Sequence, residues 1–347
     1  MSAESFRYAF YSDNTASVAP ELLAAIAAVN TGPQPSYGDD PWTLRLDAAF
    51  SSFFGTPVRA FVVTTGTAAN ALSLATLSPP YGNVFAHAGS HVVEDECGAV
   101  EFYSGGARLT LVSGDHGRID PDALRQAINA HPANVHTVQP AALTLTQATE
   151  LGTSYRPDAI AALSAVAHAH GLRVHMDGAR LANAIDFLGC EPADVTWRAG
   201  VDVLSFGATK NGALAAEAVV FFDPQQVRDF ELRRKRAGHL LSKSRYATAQ
   251  LLTYVESGLW RSNAARANRF AQQIAAAAAA RLSHPVEANE LFVQLGHAGK
   301  QALRAQGFGF YDWGPAAGPE ARFVVSWDQT PQSVAALCQA LRALRPA

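Results

Sequence analysis

Sulfur is scarce in this sequence. Three cysteines occur in 347 residues, Cys97, Cys190 and Cys338, far apart and in no paired motif. That excludes a disulfide framework and a cysteine-based zinc site, and it fits a reducing cytoplasm. Strongly apolar runs of about 18 residues are also missing, so a membrane span is not expected. Met1 to Phe10 carries no apolar stretch behind a basic start, so no signal peptide is read there. Charge of one sign is lacking as well, because 27 basic and 30 acidic side chains leave a net −3. A field that weak gives no reason to expect nucleic acid or an anionic membrane as partner. The most useful scarcity is lysine: only Lys210, Lys235, Lys243 and Lys300 occur. Chemistry that needs a lysine amine therefore has four candidates.

What is present is apolar material, 48% of the chain. That is enough for a packed core and argues against disorder. At a soft prior of about 150 residues per domain, the length suggests two domains. Short β-rich runs alternate with helical stretches through the first two thirds. Strands are expected at Ala60–Thr64, Asn83–His87, Arg108–Val112, Val135–Val138, Leu172–Met176, Val201–Phe206 and Ala218–Phe222. Helices are expected at Thr67–Leu77, at Asp120–Ala130 with Pro121 in its first turn, and at Pro157–His170 before Gly171. This alternation predicts an α/β fold with a mostly parallel sheet and helices on both faces. After Pro224 the pattern becomes a long helical region over Gln225–Glu256 and another helix over Asn263–Leu282. Strand, helix, strand and helix then follow at Leu291–Leu295, Ala298–Gln306, Arg322–Trp327 and Gln332–Leu344. We divide the chain near Gly258, into a large domain over 1–257 and a small α+β domain over 258–347.

Four segments carry chemistry. Lys210 follows an apolar strand among small residues in Ser205-Phe-Gly-Ala-Thr-Lys210-Asn-Gly. Partial burial there would lower the amine's pKa and leave room for a ligand, although a solvated loop lysine would read similarly. The other three lysines lie among charged or polar neighbours. Asp177 ends the strand in His175-Met-Asp177-Gly-Ala-Arg180. In an open parallel sheet that end faces the ligand crevice, where a carboxylate can hold a ring nitrogen protonated. A helix-capping Asp is the plain alternative. Thr64-Thr-Gly66-Thr67-Ala-Ala-Asn70 joins a strand to a helix and offers N–H groups to an anion. An ordinary strand-to-helix turn reads the same way, and it is neither of the common nucleotide motifs. His91 lies in His87-Ala-Gly-Ser-His91-Val-Val-Glu94-Asp95-Glu96-Cys97. The spacing fits no zinc helix motif, so no metal is expected, and stacking or acid–base work is the better role for the imidazole.

Taken together, these segments resemble the threonine aldolase family of enzymes dependent on pyridoxal 5'-phosphate (PLP), with the aspartate aminotransferase-like fold. The likeness runs from Tyr11-Ser12-Asp13-Asn14-Thr15 and Tyr37-Gly38-Asp39-Asp40-Pro41 through the four segments above. The resemblance implies a large domain with a seven-stranded type of sheet. It implies that Lys210 holds PLP as a Schiff base and that Asp177 pairs with the pyridinium nitrogen. His91 would stack on the ring near the substrate hydroxyl, and Gly66 and Thr67 would bind the phosphate. Ser12, Arg180 and Arg322 would bind the substrate carboxylate, with Arg180 also beside the cofactor. One departure stands out. Where many members carry a Glu-Asn-Thr-His segment, this chain reads Thr146-Gln147-Ala148-Thr149-Glu150, with Thr149 at the place of a second histidine.

The activity implied is cleavage of L-threonine, L-allo-threonine and related β-hydroxy-α-amino acids such as phenylserine to glycine and an aldehyde. A β-eliminating lyase, an aminotransferase and a PLP-binding protein without turnover are the rivals. The resemblance also implies a homodimer or homotetramer with shared sites. Tyr37–Asp40 and Arg233–Arg236 are the candidate cross-subunit contributors. A solvated helix face is the alternative for the basic run.

Overall fold

The computed structural model describes residues 7–224, 227–314 and 318–344. A short strand β1 (Tyr8–Ala9) opens the described chain, followed by helices Pro20–Ala28 and Leu46–Phe54. The central sheet is built from β2 (Arg59–Val63), β3 (Gly82–His87), β4 (Arg108–Val112), β5 (Gln139–Thr146), β6 (Arg173–Gly178), β7 (Val203–Gly207) and β8 (Glu217–Phe221). Their order is β2-β8-β7-β6-β5-β3-β4. β3 to β7 pair in parallel. β8 runs antiparallel to both β7 and β2, which leaves β2 parallel to the rest. Six strands therefore deliver their carboxyl ends to one edge, and β8 delivers its amino end there. The α/β architecture read from the sequence is the one observed.

Helix Gly66–Leu77 begins where Thr65 caps it, its hydroxyl accepting the Ala68 N–H at 3.2 Å. Ala68 to Ala75 and Leu77 are buried, because the helix lies between the sheet and helices Ala99–Ser104 and Val227–Arg236. An all-round apolar surface suits such a helix. The ends of β6 and β7 approach closely through glycine. A Cβ on Gly207 would fall 2.6 Å from Ala179 Cα, and one on Gly178 would fall 2.7 Å from the Ser205 carbonyl oxygen.

Two expectations change. Val135–Val138 is irregular, with Val135 95% exposed, and the strand is Gln139–Thr146 instead. The β-branched residues 135, 137 and 138 imitate a strand, but the buried run starts later, at Ala142. The helical region after Pro224 breaks between Val227–Arg236 and Arg245–Glu256, with Gly238 at φ +80° in the gap.

In the C-terminal part, β9 (Glu290–Gln294), β11 (Tyr311–Trp313) and β12 (Glu320–Val324) form an antiparallel sheet in the order β11-β12-β9. β10 (Phe308–Gly309) pairs in parallel with β1. A separate apolar cluster including Phe270, Ile274, Leu291, Phe323, Leu337 and Leu341 fills this part, and Phe10 of the N-terminal segment joins it.

Candidate active site

The parallel strands end around a cavity of about 240 Å³. Its walls include Asn14, Thr64 to Thr67, His91, Asp177, Ser205, Lys210 and Glu217. All but Asn14, which lies in the N-terminal turn Asp13–Thr15, come from a strand end or the segment after it: Thr64 follows β2, His91 follows β3, Asp177 lies in β6 and Lys210 follows β7. Glu217 enters because β8 starts where its neighbours stop, opposite Val63 and Gly207 in register. Gly66, Thr67, His91, Asp177 and Lys210, separated by up to 144 positions (210 − 66), thus share one cavity.

Gly66 and Thr67 open a helix of 12 residues. The first N–H groups of a helix have no intrahelical acceptor, and the helix dipole adds positive potential there. This end of the cavity is an anion cradle. Lys210 is half-buried in a 3-10 turn, Thr209–Asn211, and makes no hydrogen bond or ion pair among the described residues. Its charge is felt by Asp13, His91 and Glu217. Burial lifts Glu217 to about 7, against the Thr209 hydroxyl and the Ala208 N–H that favour its ionised form.

A buried hydrogen-bond chain supports the opposite wall. Asn70 Nδ2 donates to Asp177 Oδ2 at 2.7 Å and to Glu96 Oε1 at 2.8 Å. Glu96 Oε1 in turn lies 2.8 Å from His91 Nδ1. Asp177 Oδ1 accepts the Ala179 N–H at 2.9 Å. Beside Asp177, His175 sits between the hydroxyls of Thr144 and Ser205, each at 2.9 Å. Burial drives its pKa down to about 4, so the ring stays neutral. Its hydrogen bond to Glu96 raises the His91 pKa, and Asp177 adds to the effect against burial. Oxygen and nitrogen atoms of His91, Glu96 and Asp177 lie within 4.8 Å of one another. Because Asn70 bridges both carboxylates, we read this group as a hydrogen-bond network.

Of the three residues expected to grip a carboxylate, Arg180 borders a small pocket beside that wall with Asn70, His91 and Asp177. Arg180 is buried and gives Nε and Nη2 to Asp13 at 2.8 and 3.0 Å. Its Nη1 faces Glu290 Oε2 at 3.1 Å. Arg322 donates Nε to Glu290 Oε1 at 3.2 Å and lies over the Trp313 ring. The Arg322 Nη1 makes no hydrogen bond among the described residues. Burial would push the Arg180 guanidinium down, but Asp13 and Glu290 reverse this and hold it protonated. Ser12 caps a short turn by accepting the Asn14 N–H at 3.1 Å.

Several readings are refined. Thr149 is buried and hydrogen-bonds Thr153 Oγ1 at 2.8 Å and the His116 carbonyl at 3.3 Å, turned from the cavity. From that segment it is Thr146, Ala148 and Glu150 that border the site. The basic run is not a plain solvated face, since Arg234 is buried and donates Nε to the Val62 carbonyl at 2.8 Å. Lys235 Nζ lies 4.3 Å from the Tyr37 ring centroid, so the two candidate cross-subunit segments touch within one chain. Lys300 is buried and bonds the Gly318 carbonyl at 2.6 Å. Glu217 and Glu290 were missed. Glu217, an acidic residue entering an apolar run, left a weak signal; Glu290 left none, since only tertiary packing brings it between two arginines.

An amine, helix N–H groups that could hold an anion, and a buried carboxylate meet at the ends of the parallel strands of an α/β fold. The chain belongs to the beta-eliminating lyase family, whose model matches residues 9–298. It is 42% identical over 342 residues to a low specificity L-threonine aldolase from a Pseudomonas species, covering 97% of this chain and 98% of that one. With the low specificity L-threonine aldolase of Pseudomonas aeruginosa it shares 43% identity over 337 residues, 96% of each chain. The solved structure of Leishmania major threonine aldolase superposes with a TM-score of 0.91 at 24% identity, covering 97% of this chain and 99% of that one.

Proposed function

We propose that this lyase is a low-specificity L-threonine aldolase, cleaving L-threonine, L-allo-threonine and related β-hydroxy-α-amino acids to glycine and an aldehyde. Near-full-length identity of 42–43% to two such enzymes carries the reading. PLP is the proposed cofactor, and the residues suit it. Among the described residues Lys210 is an unpaired amine at one side of the cavity and Gly66 and Thr67 present free helix N–H groups for a phosphate, while buried Asp177 suits a pyridinium nitrogen. When bound, PLP supplies an electron sink for the pair left at Cα.

The protein's part is holding and proton transfer. Lys210 would hold the cofactor and release it to the substrate amine. Asp177, kept in place by Asn70 and the Ala179 N–H, holds the ring proton. His91, tied to Glu96 through Nδ1, would cover the ring near the β-hydroxyl. Ser12, Arg180 and Arg322 orient the substrate carboxylate. Arg322 has the free Nη1, whereas Arg180 has its nitrogen atoms matched to Asp13 and Glu290.

We further propose a homodimer or homotetramer with shared sites, located in the cytoplasm. Among the described residues no helix is long and apolar enough to cross a membrane. The division into residues 1–257 and 258–347 is likewise a proposal, supported by the separate C-terminal apolar cluster.

The deciding measurement is the product. Threonine, allo-threonine and phenylserine should each yield glycine with the matching aldehyde, and 2-aminobutyrate, lacking the hydroxyl, should not be cleaved. If 2-oxobutyrate and ammonia were the main products from threonine, a dehydrating lyase would replace the aldolase.

A further inference from the structure

We propose that Glu150 is a second acid–base group of this site, the one that takes the β-hydroxyl proton of the substrate. The proposal rests on the aldol-cleavage reading. Glu150 follows β5, and its Oε1 accepts the His91 backbone N–H at 2.6 Å and the Thr146 hydroxyl at 2.9 Å. It borders a small pocket of about 40 Å³ with His91, Thr146, Asp177, Arg180 and Lys210. A space of that size, with these polar side chains at its border, admits one water or a hydroxyl group. The carboxyl therefore stands at the same place as the lysine, the imidazole and the ring-pairing carboxylate, joined directly to the segment that carries His91.

Its charged surroundings come from every neighbouring strand end. His91 and Glu96 follow β3, Asp177 and Arg180 belong to β6 and its turn, Lys210 follows β7, and the Tyr155 phenol lies five positions along its own segment. Burial raises Glu150 most, the His91 N–H opposes it, Asp177 adds to it, and the result is about 7. The His91 pKa is raised as well, through its bond to Glu96. That favours the imidazolium, which has no lone pair with which to accept a proton. An efficient general base has a pKa near the operating pH, and Glu150, at about 7, meets that condition.

The step balances without any further reactant. The hydroxyl proton passes to a Glu150 oxygen, directly or through one water, and the O–H pair becomes the second C–O bond of the aldehyde. The Cα–Cβ pair remains with Cα, which takes up a proton as glycine forms.

The test uses the cofactor-loaded, full-length enzyme. Glu150→Gln should lower kcat about a hundredfold or more while KM stays within about twofold, as loss of a general base does. It should also flatten the rise of kcat/KM with pH near 7, and Glu150→Asp should recover part of the rate. Thr146→Val removes a hydroxyl that favours the ionised carboxyl, so it should move that rise to higher pH. Infrared difference spectra of the loaded enzyme without substrate should show a carboxyl ionising near pH 7 that is missing from Glu150→Gln. An unaltered pH profile in both variants, or native and Glu150→Gln spectra that match, overturns the proposal. Failure of the aldolase reading is separate: the native enzyme would form no glycine from threonine, while the infrared titration would still report on Glu150.

Discussion

Lys210 stands in the field of Asp13, His91 and Glu217 yet bonds to none of them, which leaves its amine open to a ligand. The surrounding groups have the tighter contacts. Asp177 is fixed by Asn70, His91 by Glu96, and Glu217 by the Ala208 N–H. Such a site holds its geometry before the ligand arrives, which is where orientation gains come from. If Lys210 carries the cofactor, the purified protein should be yellow. Borohydride reduction followed by peptide mapping should then find the pyridoxyl group on Lys210. A label on Lys235, Lys243 or Lys300 would reject the assignment.

At the scale of elements, the site depends on where two strands stop. β6 and β7 end in Gly178 and Gly207, and each glycine lets the neighbouring strand end approach. The Gly207 Cα faces the Ala179 backbone, so an added methyl would meet Cα at 2.6 Å and the carbonyl oxygen at 2.7 Å. Backbone cannot step aside as a side chain can. Gly207→Ala should therefore destabilise the protein by about 1–3 kcal/mol, the usual cost of overpacking, and shift Lys210 three residues on. Thermal melts together with the visible absorbance of bound cofactor check this. An unchanged melting temperature with full cofactor occupancy would show that the strand ends can part freely. The antiparallel entry of β8 is the other decisive feature at this scale, because it alone turns Glu217 toward the lysine.

Over the whole molecule, one buried ionic network ties distant segments together. Asp13 comes from the N-terminal segment, Arg180 from the turn after β6, and Asn289, Glu290 and Arg322 from the C-terminal part. Asn289 Nδ2 reaches Asp13 Oδ2 at 3.1 Å, closing the link. Burial alone would raise the Asp13 pKa, but Arg180 and then Lys210 outweigh it and hold the carboxyl below its ordinary value. Removing one partner from a buried pair leaves a charge uncompensated. Asp13→Ala should then cost about 3 kcal/mol of unfolding free energy, read from urea denaturation. It should raise KM for threonine as well, since Arg180 loses two of its anchoring bonds. A denaturation midpoint equal to that of the native chain would show that the network contributes no net stability.

The sequence by itself determined the α/β class and most strand and helix positions, and it pointed to Lys210 and Asp177, which the fold brings to one cavity. Hydrophobic periodicity and glycine punctuation are local signals, and four lysines left little choice of amine. It misled at Val135–Val138, where β-branched residues lie in an exposed turn and the true strand contains Pro140 and two alanines, Ala141 and Ala142. Tertiary structure decided the rest. It turned Thr149 away and brought Glu150 to the site, put Glu290 between two arginines, and buried Arg234 and Lys300. The physical reason is common to all of these. The environment of a charged side chain depends on partners that lie far off in the chain, and no local pattern encodes which strand end will face it.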